Sequence, residues 1–374
     1  MMESVIMTID SIRELIPTSQ KYVYLNHAAC GPLPIPVQEA QREYCASRAM
    51  DADVAFDEWI DHAEKTRSLC AEFINALPEE IAFLKNTSEG INLVASMLPV
   101  EPGDNVVTTD LEFPSNYMPW IDLTRKGVEF RVVKSRDGRL LWEDFEKAVD
   151  DHTICLAVSH VEFATGFRND LKALGELCED HDTYFFVDPI QSLGALDMDV
   201  RKIPIHFLSS GCYKWLMSET GISLFYIQKE LIDSFHAPST GWFSLKDYLH
   251  YEDFDREAPE ITHTARKFEC GNLNYYGIYT LNASLQFLNL YPHREQRVME
   301  LSNHLIQRLQ EHRIPVQTPE EHAGIVNFRV KNPDSVVESL KSKGIIVSSR
   351  AHGVRVSPHF WNTSEELETL LNAL

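Results

Sequence analysis

Lys214 and Asp188 are the two residues whose types and placement suit shared chemistry. Lys214 lies in Ser209-Ser210-Gly211-Cys212-Tyr213-Lys214-Trp215, just after the apolar stretch His206-Phe207-Leu208. Asp188 closes another apolar run, Tyr184-Phe185-Phe186-Val187. A lysine amine condenses with an aldehyde to a Schiff base. A carboxylate keeps a pyridine nitrogen protonated, so that the ring draws electrons from an attached carbon. An acid at one strand end and a lysine just past the next are what a pyridoxal 5′-phosphate (PLP) site needs. Neither residue carries the argument alone, so the segments around them matter.

The elements that would position them alternate. Ile81 to Leu84 predicts a short strand. Thr87-Ser88 offers capping hydroxyls to a helix through Ile91, Val94, Ala95 and Leu98, which Pro99 stops. Strands are expected at Asn105 to Thr109, Val128 to Val133 and Thr153 to Val158, with helices from Trp142 to Val149 and from Asp170 to His181. Tyr184 to Val187, Phe207-Leu208 and Ile222 to Ile227 complete the strand set. Near-continuous apolar strands separated by helices indicate a mostly parallel sheet covered on both faces. Such sheets bind ligands beyond the carboxyl ends of their strands. Thr87, Phe113, Phe163, Asp188 and Lys214 all follow predicted strands.

The tail differs. Tyr279 to Leu290 and Arg294 to His312 read as helices, the second with Leu301, Leu305 and Leu309 on one face. Gly324 to Val330, Ile345 to Val347 and Val354 to Val356 read as strands around a helix from Pro333 to Lys343, and a last helix begins at Thr363. This pattern predicts a smaller α+β unit.

Bulk properties set limits. A chain of 374 residues suits two units better than one small core. Its apolar fraction of 44% and charged fraction of 24% are those of a water-soluble globular protein. The net charge of −22 and the absence of a basic stripe argue against a nucleic-acid partner, because phosphate contacts need clustered Lys and Arg. Seven scattered cysteines without a C-x-x-C pair argue against a disulfide framework or a structural metal site, and fit a reducing cytoplasm. No signal peptide is expected, and no apolar run approaches the ~18 residues of a membrane span.

Asn86-Thr87-Ser88-Glu89-Gly90-Ile91 combines hydroxyls with a helix start, which is what a phosphate needs. With Lys214 and Asp188, this segment resembles fold-type I PLP enzymes of aminotransferase class V, in particular the cysteine desulfurase/selenocysteine lyase group and the isopenicillin N epimerase-like group. Further segments carry the resemblance in order: Tyr24-Leu-Asn-His-Ala-Ala29, Leu111-Glu-Phe-Pro-Ser-Asn116, Val187-Asp-Pro-Ile-Gln-Ser192, Cys212-Tyr-Lys214, Lys267-Phe-Glu-Cys-Gly-Asn272, and Arg355-Val-Ser357 with Trp361-Asn-Thr363. The resemblance implies an α/β fold of the fold-type I transferase kind, with a mostly parallel seven-stranded sheet sandwiched by helices and a smaller α+β C-terminal domain. Residues 20–265 would form the large domain, and 1–19 with 285–374 the small one.

The resemblance also implies roles. Lys214 would hold PLP as a Schiff base and shuttle the Cα proton, with Asp188 on the ring nitrogen. Thr87, Ser88 and Tyr213 would hold phosphate, Gln191 would tune the phenolic oxygen, and Phe113 would stack on the ring. Asn272 would reach the phosphate of a neighbouring subunit, making a homodimer with shared sites. Arg355 would fork onto the substrate α-carboxylate, a task suited to guanidinium. Asn26, His27 and Arg350 would border the substrate. His160 and His352 are further acid/base candidates, each equally readable as structural. Cys212 reads as a small lining residue, since no histidine adjoins it.

Departures from the desulfurase pattern bear on the reaction. Phe113 stands where desulfurases stack a histidine; it can stack but cannot move protons. Phe163 replaces an Asn, and Asn272 replaces a Thr. Arg350-Ala-His-Gly-Val-Arg355 runs straight through where group II desulfurases insert a loop bearing a nucleophilic cysteine, and no cysteine follows Cys270. A persulfide-forming thiol from that loop is therefore not expected. The expectation is a cytoplasmic enzyme acting at Cα or Cβ of a small amino acid: a β-eliminating C–S lyase or an aminotransferase, with epimerisation as the alternative and a non-catalytic scaffold as the reading from another class. The aromatic, acidic stretch 239–263 reads either as an entrance flap or as a surface excursion.

Overall fold

The computed structural model describes residues 7–374, so the first six residues of the expected small domain lie outside the described residues. Among the described residues, twelve strands form in chain order: β1 (Val23–Tyr24), β2 (Ile81–Leu84), β3 (Asn105–Thr109), β4 (Glu129–Val133), β5 (Thr153–Ser159), β6 (Tyr184–Asp188), β7 (Phe207–Gly211), β8 (Ser223–Ile227), β9 (Val326–Phe328), β10 (Ile345–Ile346), β11 (Ser348–Arg350) and β12 (Gly353–Val356). Seven of them make one sheet in the order β2-β8-β7-β6-β5-β3-β4. Its pairings are parallel except those of β8, which runs antiparallel to both β2 and β7. This is the expected mostly parallel α/β sheet. Its central strands are buried along their length because both faces are covered, whereas the edge strand β4 is largely unburied.

One layer was not foreseen. Helices Ile35–Met50 and Phe56–Ile74 pack against helix Tyr275–Asn289. The first has many polar positions and weak apolar periodicity, so its sequence gives little sign of it. The third starts at Tyr275, four residues before the expected Tyr279, capped by the Asn274 side chain on the Gly277 amide.

The second sheet is antiparallel, in the order β11-β12-β9, and beside it β1 pairs in parallel with β10. A separate apolar cluster fills this unit, built from Leu301, Leu305, Leu309, Val326, Phe328, Val354, Val356 and Leu367 among others. Leu25 belongs to that cluster and Val23 packs against it. Arg13 ties the N-terminal helix to the last helix through Glu366 at 2.9 Å.

Candidate active site

The carboxyl ends of β5, β6 and β7 meet at one edge of the large sheet, and Ser159 and Asp188 are register partners there. Lys214 follows β7 and is 8% exposed. The loop bearing it is pinned from the N-terminal segment. The Gly31 amide donates to the Tyr213 carbonyl at 2.8 Å, and a Cβ on Gly31 would lie 2.1 Å from the Lys214 carbonyl oxygen. Burial brings the Lys214 amine down to about 8; Asp188 opposes that, and the Arg355 and Arg350 guanidiniums add to it. Among the described residues, its Nζ has no hydrogen-bond acceptor and no ion-pair partner.

Asp188 is buried, and its Oδ1 accepts the Ile190 amide at 2.9 Å. Burial pushes its carboxyl up to about 6 against the pull of that amide and of Lys214. His160 braces it from beneath: its amide donates to the Asp188 carbonyl, and its Nδ1 lies 2.9 Å from Ser192 Oγ. Burial lowers the His160 pKa to about 3, which favours the neutral ring.

At the start of helix Thr87–Met97, Asn86 caps the Glu89 amide, and the first-turn N–H groups of Thr87 and Ser88 are unpaired by the helix itself. Thr87 Oγ1 accepts the Gly211 amide at 2.8 Å, which joins this helix start to the Lys214 loop. The Tyr213 ring closes the same corner: a Cβ on Gly211 would lie 3.3 Å from both Thr87 Oγ1 and Tyr213 Cε1. Ser88 turns its hydroxyl to Ser115 at 2.8 Å.

Arg355 is 2% exposed and has no carboxylate partner among the described residues. Its Nη1 donates to the Phe163 carbonyl at 2.8 Å and its Nε to Ser348 Oγ at 3.2 Å. Burial and the charge of Arg350 press its guanidinium below the usual range. Phe163 meets Phe113 edge to face at 5.2 Å, and Lys214 Nζ stands 5.8 Å from the Phe113 ring centre. Phe113 is 46% exposed, so it is a wall of this space and not a core aromatic.

Three expected site residues have other local partners. His27 is fully buried, packed against Trp215, His359, Trp361 and Tyr24, with its Nδ1 on the Ser357 carbonyl at 3.0 Å. Burial lowers its pKa to about 3, so it supports Trp215 from within and does not border open space. Gln191 has its amide engaged at both ends, accepting from Trp215 Nε1 and donating to the Ala28 carbonyl, both at 3.1 Å. Asn26 is half-buried, keeps a buried Oδ1 without a partner, and pairs through its backbone with Ser357.

Arg350 is exposed at the end of β11. Ala351 and His352, both in the left-handed region (φ 47° and 59°), turn the chain directly into Gly353, the register partner of Arg350. A two-residue turn therefore closes the hairpin where the desulfurase loop was considered, and His352 sits exposed at its tip. Cys212 is buried, and burial pushes its thiol up to about 12, as suits a lining residue.

Asn272 is exposed and lies near Lys85 and Glu89, outside its own chain's Lys214 cluster. The stretch 239–263 packs against the same segment. Ser244 donates to the Lys267 carbonyl at 2.9 Å, Arg266 lies over Tyr248, and a Cβ on Gly241 would collide with the Cys270 carbonyl.

Sequence reading missed a pair of buried acids beside the site. Glu112 accepts both the amide and the hydroxyl of Ser159, while Glu162 accepts from Asn169 at 3.0 Å and leaves Oε2 unpartnered. Burial raises both carboxyl pKa values; the charge of Asp188 adds to the rise at Glu112, and the charges of Glu112 and Asp188 add to the rise at Glu162. The signal was present in the acids flanking Phe113 and Phe163, but sequence alone does not show that they are inside.

The aminotransferase class-V family profile matches residues 23–370. The chain belongs to the aminotransferase class-V family. Membership makes it a PLP-dependent enzyme, with pyridoxal 5′-phosphate as cofactor. A probable cysteine desulfurase of Pyrococcus abyssi is 32% identical, with 98% of this chain and 96% of that protein covered. The uncharacterized aminotransferase YcbU of Bacillus subtilis is 28% identical, with 98% and 97% covered. The apo structure of a cysteine desulfurase from Thermococcus onnurineus NA1 superposes with a TM-score of 0.88 at 30% identity, covering 97% of this chain and 96% of that one. These class-V likenesses agree with the fold-type I architecture. The chain's own residues fit the cofactor as well: a buried amine without a partner, an acid facing it, and a helix start with free amides joined to the lysine loop. Among the described residues, no helix is long and apolar enough to cross a membrane, and no group of side chains could hold a metal ion.

Proposed function

We propose that this class-V enzyme is a β-eliminating C–S lyase acting on a small amino acid, with Lys214 as the proton carrier. The observation that carries the reading is the convergence of a buried, unpartnered Lys214 amine with Asp188 and with Arg355, a buried guanidinium lacking a carboxylate. When bound, the cofactor supplies an electron sink for the pair left at the substrate Cα. Lys214 and Asp188 would hold it at the amine and the ring nitrogen, with Thr87, Ser88 and Tyr213 at the phosphate, Gln191 at the phenolic oxygen and Phe113 along the ring. Arg355 orients the substrate by its carboxylate, with Asn26 and Arg350 at the border. Lys214, lowered towards neutrality by burial, takes the Cα proton.

Phe113 favours elimination of sulfur over groups that need protonation to leave. It offers no proton, and a thiolate departs without one. The two-residue turn at Ala351-His352 supports a lyase that does not pass sulfur to a C-terminal loop cysteine. Transamination is the second reading, because Lys214 could return the same proton to the cofactor side instead of losing the leaving group. The position of Asn272, exposed and apart from its own chain's Lys214, supports a homodimer in which it completes the partner's phosphate site. The seven unpaired cysteines support a cytoplasmic setting.

Borohydride treatment of the purified yellow protein, followed by peptide mapping, should place the reduced cofactor on Lys214. Incubation with a panel of amino acids then separates the reactions. Pyruvate and ammonia without an added acceptor mark elimination, and conversion to the pyridoxamine form marks transamination. Deuterium uptake at Cα with racemisation marks epimerisation, and alanine with protein-bound persulfide marks desulfuration. A colourless protein that ignores added PLP would leave only the scaffold reading.

A further inference from the structure

We propose that Asn327 is a positioning residue that sets the substrate-carboxylate pocket by tying three segments together with one side-chain amide. It rests on the reading of Arg355 as the carboxylate-binding residue. Asn327 lies on β9 as the register partner of Arg355 on β12, and it is fully buried. Its Nδ2 spends both protons, one on the Ala164 carbonyl and one on the Arg350 carbonyl, each at 2.9 Å. Its Oδ1 accepts from Gln317 Nε2 at 2.9 Å. Two carbonyls on the nitrogen and an amide donor on the oxygen fix the orientation of this group.

Two of the three segments shape the pocket. Ala164 follows Phe163, whose carbonyl holds Arg355 Nη1 and whose ring meets Phe113. Arg350 ends β11 at the tight turn into β12. The Asn327 amide therefore joins the large sheet's loop to the hairpin carrying both arginines, from directly across the strand from Arg355. Thr318 reinforces the link, donating to the Thr165 carbonyl at 2.7 Å while accepting the backbone N–H of Asn327, also at 2.7 Å. The packing admits no spare atom: a Cβ on Gly353 would lie 2.1 Å from Asn327 Oδ1 and 2.3 Å from Gln317 Nε2. Removing both donations unties the Ala164 and Arg350 carbonyls from a common side chain, freeing the loop and the hairpin to shift apart. Arg355 would then keep its charge but lose its aim.

The test compares Asn327→Asp, which keeps the shape and removes both donations, with Asn327→Ala and Arg355→Gln in the PLP-loaded enzyme. Each variant is assayed for cofactor content, melting temperature, KM and kcat for the best amino acid of the panel, and inhibition by propionate, which carries a carboxylate alone. Both Asn327 variants should retain cofactor and a melting transition. They should show KM and the propionate inhibition constant raised about tenfold, the effect of one lost hydrogen bond to a charged group, with kcat within about threefold. Unchanged KM and propionate inhibition in Asn327→Asp, beside a large rise in Arg355→Gln, would overturn the role of Asn327 alone. An Arg355→Gln variant with unaltered KM would instead remove the carboxylate reading beneath it. Loss of cofactor or of the folded state in both Asn327 variants would reduce Asn327 to a structural residue and also overturn the proposal.

Discussion

The Phe163 carbonyl accepts a hydrogen bond from Arg355 Nη1 at 2.8 Å, joining the large sheet's loop to the small antiparallel sheet inside the candidate pocket. Ser348 holds the Nε of the same guanidinium, so its plane is set by two donors at different positions. A lysine at 355 would keep the charge but could not make both contacts and still face a carboxylate. Arg355→Lys should raise KM at least about tenfold, on the scale of a charge-assisted hydrogen bond of about 1.5–3 kcal/mol. Steady-state kinetics on the active amino acid measures it.

Lys214→Ala should abolish turnover while preserving the fold. The side chain makes no hydrogen bond within the described structure, so its loss removes the amine without orphaning a partner. Activity assays paired with thermal melting check both halves; near-wild-type rates in this variant would contradict the mechanism.

The Asp188 carboxyl, lifted to about 6 by burial, titrates where experiments can follow it. Its charged form should favour a protonated pyridine nitrogen. Affinity for PLP should therefore hold above that value and weaken as pH falls through it. Asp188→Asn should bind less tightly at neutral pH and lose that part of the dependence. Titrating apo protein with PLP on either side of pH 6, read by absorbance, supplies the comparison.

Glu112 and Glu162 should make the protein sensitive to alkali. Both folded-state pKa values lie above the usual carboxylate value, so the folded protein holds protons that the unfolded chain releases. Stability from these groups is greatest at low pH and declines as pH rises from the ordinary carboxylate range through the raised folded values. Glu162→Gln removes one ionisable member and should flatten the alkaline loss of melting temperature. A wild-type melting curve indifferent to pH on the alkaline side would count against this arrangement.

Much of the fold was legible in the residues. Most strands of the large sheet from Ile81 onward were readable because burial on both faces favours an apolar run, as in Ile81–Leu84 and Tyr184–Asp188, and the helix start at Asn86-Thr87-Ser88 announced itself by its capping side chains. The stretch 35–74 was not, because helix Ile35–Met50 buries a narrow face whose partner, helix Tyr275–Asn289, lies more than two hundred residues away. The burial of His27 was hidden for a similar reason: a histidine in a loop expected to border the substrate gives no local sign that Trp215, His359 and Trp361 close around it.

Taken by itself, the sequence determined the cofactor chemistry, the order of the strands along the chain and the residue types available at their ends, because these depend on local patterns and on the identity of side chains. Only the tertiary structure decided which of those side chains face one another. The joining of Arg355 to Phe163, the engagement of Asn327 with Arg350 and Ala164, and the enclosure of Glu112 and Glu162 arise from contacts between distant segments. Burial and hydrogen-bond partners, not composition, set the charge and orientation of such groups.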